Sequence, residues 1–159
     1  MLFASQAQMA LDYFAAGDLK AAEGYLKEAL SSDLVGVIGP CIGLPYLSHA
    51  LAEWAARSGE WQAAISACAP VLAETQRRNL PYDLVQVSFD FGRCLEGAGQ
   101  RTEAESVFLS LLPVLEKSQF HRLRYQLDTA LAAHFDHLGN PDQRQVYLQS
   151  ALLEKSFLL

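Results

Sequence analysis

His134, Asp136 and His137 are the side chains of this sequence closest to a chemical motif. Two imidazoles three residues apart can share a helix face, and Asp136 lies between them. Zinc usually takes three or four protein ligands, and the sequence places no further one. These histidines are therefore read as helix-packing and helix-end residues, and no metal or cofactor is expected. Cys41, Cys68 and Cys94 are too far apart for a CxxC metal or redox pair. Cys41 has no basic neighbour that would lower its pKa, and Cys68 falls on a packing stripe, so both read as unreactive thiols. In "GVIGPCIGLP" the glycines Gly36, Gly39 and Gly43 lack the GxxxxGK[ST] spacing and the preceding strand of a phosphate loop. The segment reads as a connector covering apolar surface. No GxSxG, HExxH or spaced Cys–His pair occurs. Asp90, Glu96 and Glu103 are read as scattered surface charge, and the chain is expected not to be an enzyme.

Composition narrows the classes further. The 159 residues fit one domain, with 51% hydrophobic and only 19% charged residues, below the roughly 25% of an average soluble chain. A net charge of −6 argues against a binder of nucleic-acid phosphates. The N-terminus "MLFASQAQMALDYF" has no basic leader, and an odd number of thiols without such a leader fits reduced cysteines in the cytoplasm. The most apolar stretch is 14 residues long and broken by Gly and Pro, whereas a membrane span needs about 20.

The positions of these residues depend on a repeat. Gly17, Gly59, Gly99 and Gly139 recur at spacings of 42, 40 and 40. Before each lies an apolar pattern of helical period: Met9, Ala10, Tyr13 and Phe14; Leu51, Ala52, Ala55 and Ala56; Phe91, Gly92 and Leu95; Leu131, Ala132, Phe135 and Leu138. After each lies a second stripe: Ala22, Leu26, Ala29 and Leu30; Ala64, Cys68, Val71 and Leu72; Ala104, Phe108, Leu111 and Leu112; Val146, Leu148, Ala151 and Leu152. Each Gly supplies the left-handed backbone that ends a helix. Thr102 with Glu105 reads as a capping box. Asn140 and Pro141 read as a cap and first helical position. The result is an all-α chain of about eight helices, near 3–16, 18–32, 44–58, 60–78, 81–98, 102–118, 121–138 and 141–156. They form four antiparallel pairs (3–36, 44–78, 81–118 and 121–156) that bury their faces only by stacking into an α-solenoid. Pro70 and Pro113 fall inside helices and should kink them.

The order Ala10, Tyr13, Gly17, Ala22, Leu26, Ala29 resembles the tetratricopeptide repeat. Leu51, Ala52, Gly59 and Ala64 match in the second unit, Gly92, Gly99, Ala104 and Phe108 in the third, and Ala132, Phe135, Gly139 and Ala151 in the fourth, where Arg144 stands in place of the usual Ala. The period of 40 to 42 exceeds that family's 34. It resembles the extended repeats of bacterial regulators that couple an ATPase to a helical sensor region. The resemblance implies that the first helix of each pair lines a concave groove holding a peptide or helix of a partner. By register the lining is Ala7, Leu11 and Phe14; Tyr46, His49, Glu53 and Arg57; Gln86, Phe89, Arg93 and Glu96; and Gln126, Thr129, Ala133, Asp136 and His137. Residues four apart share a helix face, so His49, Glu53 and Arg57 form a mixed-charge strip. Tyr46, Phe89, Arg57 and Arg93 are of types favoured at binding hot spots. Ala7, Leu11, Glu53, Gln86 and Asp90 do not fit the basic carboxylate clamp of that family's chaperone-tail readers. The expected function is a noncatalytic protein-interaction scaffold. A ligand- or peptide-sensing domain of a bacterial regulator is the alternative, followed by a secretion chaperone. The apolar tail Leu152, Leu153, Phe157, Leu158 and Leu159 is expected to pack back on the last pair, with homodimerisation as its other use.

Overall fold

A computed structural model describes residues 2–31 and 43–158, with side chains described from residue 4 onward. The described residues form eight α-helices and no strand: α1 (Leu2–Ala16), α2 (Leu19–Leu30), α3 (Gly43–Ser58), α4 (Trp61–Arg78), α5 (Pro81–Gly97), α6 (Arg101–Glu116), α7 (His121–His137) and α8 (Pro141–Ser156). The ends fall within two residues of those expected from the apolar period. Helices α4 and α6 run on through Pro70 and Pro113, so the missing N–H breaks neither. The connector readings on Gly36, Gly39 and Cys41, and that on Leu159, lie outside the described residues.

Gly17, Gly59, Gly99 and Gly139 all have positive φ, between 66° and 81°, as helix-ending glycines must. The next residue caps the following helix each time, and its length decides how well. Asp18 accepts a hydrogen bond from the Ala21 amide, and Asn140 from that of Gln143. Glu60 and Gln100, one methylene longer, make no side-chain cap. The capping box expected at Thr102 and Glu105 is absent: the N-cap is Gln100, two residues earlier, and Glu105 instead bonds His134 of α7 at 3.0 Å.

The chain divides into two compact units, Met1–Ala98 and Gly99–Leu159. In the N-terminal unit α1 packs on α2 and α3, and α3 packs on α2, α4 and α5. The odd-numbered helices therefore file side by side, with α3 in the middle. Its buried Leu44, Leu47 and Leu51, each contributing about 1.5–3 kcal/mol, join Ala10, Phe14, Leu26, Val71 and Val87 in one core. Beside it Ala52, Ala55, Ala64 and Cys94 let α3, α4 and α5 approach closely. In the C-terminal unit α7 packs against α6 and α8. Phe108, Leu127 and Leu131 are almost fully buried there, and Phe135 stacks on Tyr147 at 5.6 Å.

The last helix departs from the expected register. Ala22, Ala64 and Ala104 are fully buried where Arg144 stands in the fourth pair, and Arg144 instead reaches out to Asp136 at 3.2 Å. An Arg cannot occupy a close helix crossing, and residues 141–146 of α8 are all exposed. Val146 and Leu152 are consequently exposed, not core, while Ala151 alone in α8 is fully packed. The apolar tail packs back only at Phe157, whose ring stacks on His121 of α7 at 4.6 Å; Leu152, Leu153 and Leu158, and much of Phe157, stay exposed.

Candidate interaction site

One face of the N-terminal unit gathers the expected groove residues around two carboxylates. His49, Glu53 and Arg57 stand one helical turn apart on α3, and Gln86 and Arg93 face them from α5. Glu53 accepts hydrogen bonds from Arg57 of its own helix and from Arg93 Nη2 across the interface, the latter at 3.0 Å. Burial works against the Glu53 charge. The hydrogen bonds from Arg57 and Arg93, helped by the charges of Arg93 and His49, outweigh it and hold the carboxyl below its ordinary pKa. Arg57 also lies over the Phe14 ring, 5.3 Å from its centroid, and its Nη2 donates to the Phe14 carbonyl of α1 at 3.4 Å. One side chain thus ties α3 to α1 while remaining about a third exposed.

The second carboxylate is Asp90, read from sequence as surface charge and in fact fully buried. Ser48 Oγ donates to it at 2.9 Å and Gln86 Nε2 at 3.2 Å. His49 Nδ1 lies 3.3 Å away and Arg93 Nη1 3.6 Å away. Asp90 occupies a gap in the apolar stripe of α5, three residues after Val87 and four before Cys94. A carboxylate in a core stripe is the signal that could have identified it, since buried charge survives only with donors around it. Above the network a pocket of about 310 Å³ opens, lined by Leu11, Asp12, Phe14, Ala15, His49, Glu53 and Arg57. Its walls are mixed: Leu11, Phe14 and Ala15 of α1 are apolar, while Asp12 of α1 and the three residues of α3 are polar or charged.

Several expected lining residues do not belong there. Ala7 and Phe89 are buried, because the stripes of α1 and α5 that hold them point into the core, whereas Phe14, also buried, still lines the pocket beneath Arg57. Phe89 therefore cannot be a contact anchor. Tyr46 is exposed at the start of α3, and Glu96 is half-buried near the end of α5. Gln126, Thr129, Asp136 and His137 belong to the C-terminal unit. There the Thr129 hydroxyl donates back to the Tyr125 carbonyl, and Asp136 is engaged by Arg144. His134 is buried against Glu105 while His137 is exposed, so the two imidazoles do not face one point. Among the described residues no three His, Cys, Asp or Glu side chains converge as metal ligands would. No described helix is long and apolar enough to cross a membrane.

The fold and this face define an all-α helical-repeat protein. No family model matches the sequence, and no curated protein does. Among solved structures the chain is similar to aspartyl phosphate phosphatase F from Bacillus subtilis, with a TM-score of 0.72 over 96% of this chain at 14% identity. The match covers 40% of that protein's length. At this identity the likeness is one of fold.

Proposed function

We propose that the chain is a noncatalytic, tetratricopeptide-like interaction scaffold that holds a peptide or helix of a partner protein against the α1–α3–α5 face. The observation that carries this reading is the half-exposed network of Glu53, Arg57, Arg93 and His49 beside the mixed-walled pocket. Its polar groups are held in place by Asp90 and Phe14, so a partner meets ordered donors and acceptors and little side-chain entropy is lost on binding. Arg57, resting on an aromatic ring, is the principal anchor, with Arg93 and Tyr46 beside it. A bacterial, cytoplasmic setting fits the extended repeat. The test is capture of partners from the native host with the wild-type chain and with the Arg57→Ala/Arg93→Ala double variant. The reading expects a partner that the double variant fails to retain, and equal retention by both proteins overturns it.

The pocket volume supports a second reading, a small-ligand or peptide sensor of a larger regulator, because 310 Å³ lies at the lower end of small-molecule sites. A thermal-shift screen of metabolites separates the two. A ligand at ~100 times its Kd stabilises by about 2.7 kcal/mol.

A further inference from the structure

We propose that the cleft between α2 and α4 binds a small uncharged molecule with an apolar chain and an amide-like head. The proposal is independent of the groove on the α1–α3–α5 face. Among the described residues α2 packs on α1 and α3, and no comparable packing joins it to α4. A cavity of about 300 Å³ lies between them, within the size range of small-molecule sites. Leu26 and Leu51, both buried, line it together with Leu30 and the half-buried Trp54. From α4 come only the methyl groups of Ala63 and Ala67, one helical turn apart, so that helix sends nothing in to fill the space. Water against such walls finds few partners, and an apolar chain displaces it favourably. Each methylene buried there should gain about fourfold in affinity.

Two polar residues that line the same cavity define the head group. Glu23 and Lys27 stand four residues apart on α2, the spacing and order in which a Glu–Lys pair forms readily. Among the described residues they form no ion pair. The Glu23 carboxylate instead accepts a hydrogen bond from Trp54 Nε1 at 3.1 Å. That bond fixes the indole and one carboxylate oxygen. It leaves Glu23 Oε2 as an acceptor and the Lys27 ammonium as a donor, with charges that cancel. A carboxylate head would gain Lys27 but meet the like charge of Glu23, and an ammonium head the reverse. A neutral amide suits both: its carbonyl accepts from Lys27 and its N–H donates to Glu23.

Titration of octanamide into the whole chain, followed by the indole N–H signals in nitrogen-15 NMR, tests this. The chain has two tryptophans, and Trp61→Phe tells their signals apart. A saturable shift, larger at Trp54 than at Trp61, is expected, and the absence of a saturable shift at Trp54 overturns the proposal. Hexanamide, two methylenes shorter, should bind about 15-fold more weakly, and equal affinity contradicts an apolar seat. Octanoate and octylamine should each bind at least about fivefold more weakly than octanamide, and tighter binding of either overturns the neutral head. In Glu23→Gln the order of octanoate and octanamide should reverse, because Lys27 is then the only charge left; an unchanged order overturns the role of Glu23. Ala63→Leu, at an exposed position, should fill the cleft and weaken octanamide at least about tenfold without moving the urea midpoint. Unchanged affinity in that variant places the site elsewhere and overturns the proposal.

Discussion

Replacing Asp90 by Ala tests whether a buried carboxylate clasps α3 to α5. The substitution removes the acceptor of Ser48 and Gln86 and the counter-charge of Arg93, 3.6 Å away. At an effective dielectric of about 20, the Arg93 attraction alone is roughly 4–5 kcal/mol. Most of it is offset by the cost of taking the Asp90 charge out of water. The partners left behind decide the net effect. Gln86, His49 and Arg93 are partly exposed and recover water, and Arg93 keeps Glu53. Ser48 is fully buried, but its one hydroxyl proton can turn to the Pro45 carbonyl, 3.0 Å away. The loss should therefore fall below the ~3–5 kcal/mol typical of breaking a buried pair, at about 2–3 kcal/mol. Glu53→Ala, at a half-exposed site in the same network, should cost about 0.5–1 kcal/mol. Urea unfolding followed by tryptophan fluorescence reads this unit selectively, because the chain's two tryptophans, Trp54 and Trp61, are both in it. An Asp90→Ala midpoint indistinguishable from wild type, or a larger effect from Glu53→Ala, refutes the clasp.

Gly97→Ala should destabilise the N-terminal unit by about 1 kcal/mol and shift Trp61 emission, since an added Cβ would lie 2.5 Å from the Trp61 ring; a stabilised variant would contradict that close approach. Glu74 is held at a pKa of about 2, against an ordinary 4.5, by hydrogen bonds from Arg77 and then Arg78. A depressed folded pKa stabilises fully above the unfolded value, so the stability gap between wild type and Glu74→Gln should be flat above pH 4.5 and close as pH falls through about 2. A gap unaffected by acid would sink that assignment. Burial raises the pKa of both Cys68 and Cys94, and the nearby Asp90 charge adds to it; Cys94 is pushed up to about 12. A Cys41→Ser chain should leave a thiol reagent unreacted while folded and take up two equivalents once unfolded, and fast native labelling would show that these thiols are accessible.

The helices were legible in the sequence because the glycine period and the three-to-four spacing of apolar residues act locally, through backbone sterics and burial of a stripe. Gly17 and Asn140 illustrate this: each does locally what its residue type allows. The site was half legible. His49, Glu53 and Arg57 declare themselves by four-residue spacing, since they share one helix. Asp90 did not, because its burial depends on α3 supplying Ser48 and His49 from about 40 residues away. Phe89 was misplaced because an aromatic at groove register and one at core register differ by a fraction of a helical turn, and only packing decides between them. At α8 the substitution of Arg144 for a small residue was visible, but not its consequence, the shift that turned Val146 and Leu152 outward.

The groove itself is tested most directly by peptide display on the immobilised chain, followed by affinity measurements on the selected peptides. Binding to the α1–α3–α5 face predicts that Arg57→Ala weakens them about tenfold, or ~1.4 kcal/mol, and that Leu153→Glu on α8 leaves them unchanged. Peptides that bind wild type and Arg57→Ala equally, or that are lost with Leu153→Glu, would contradict it.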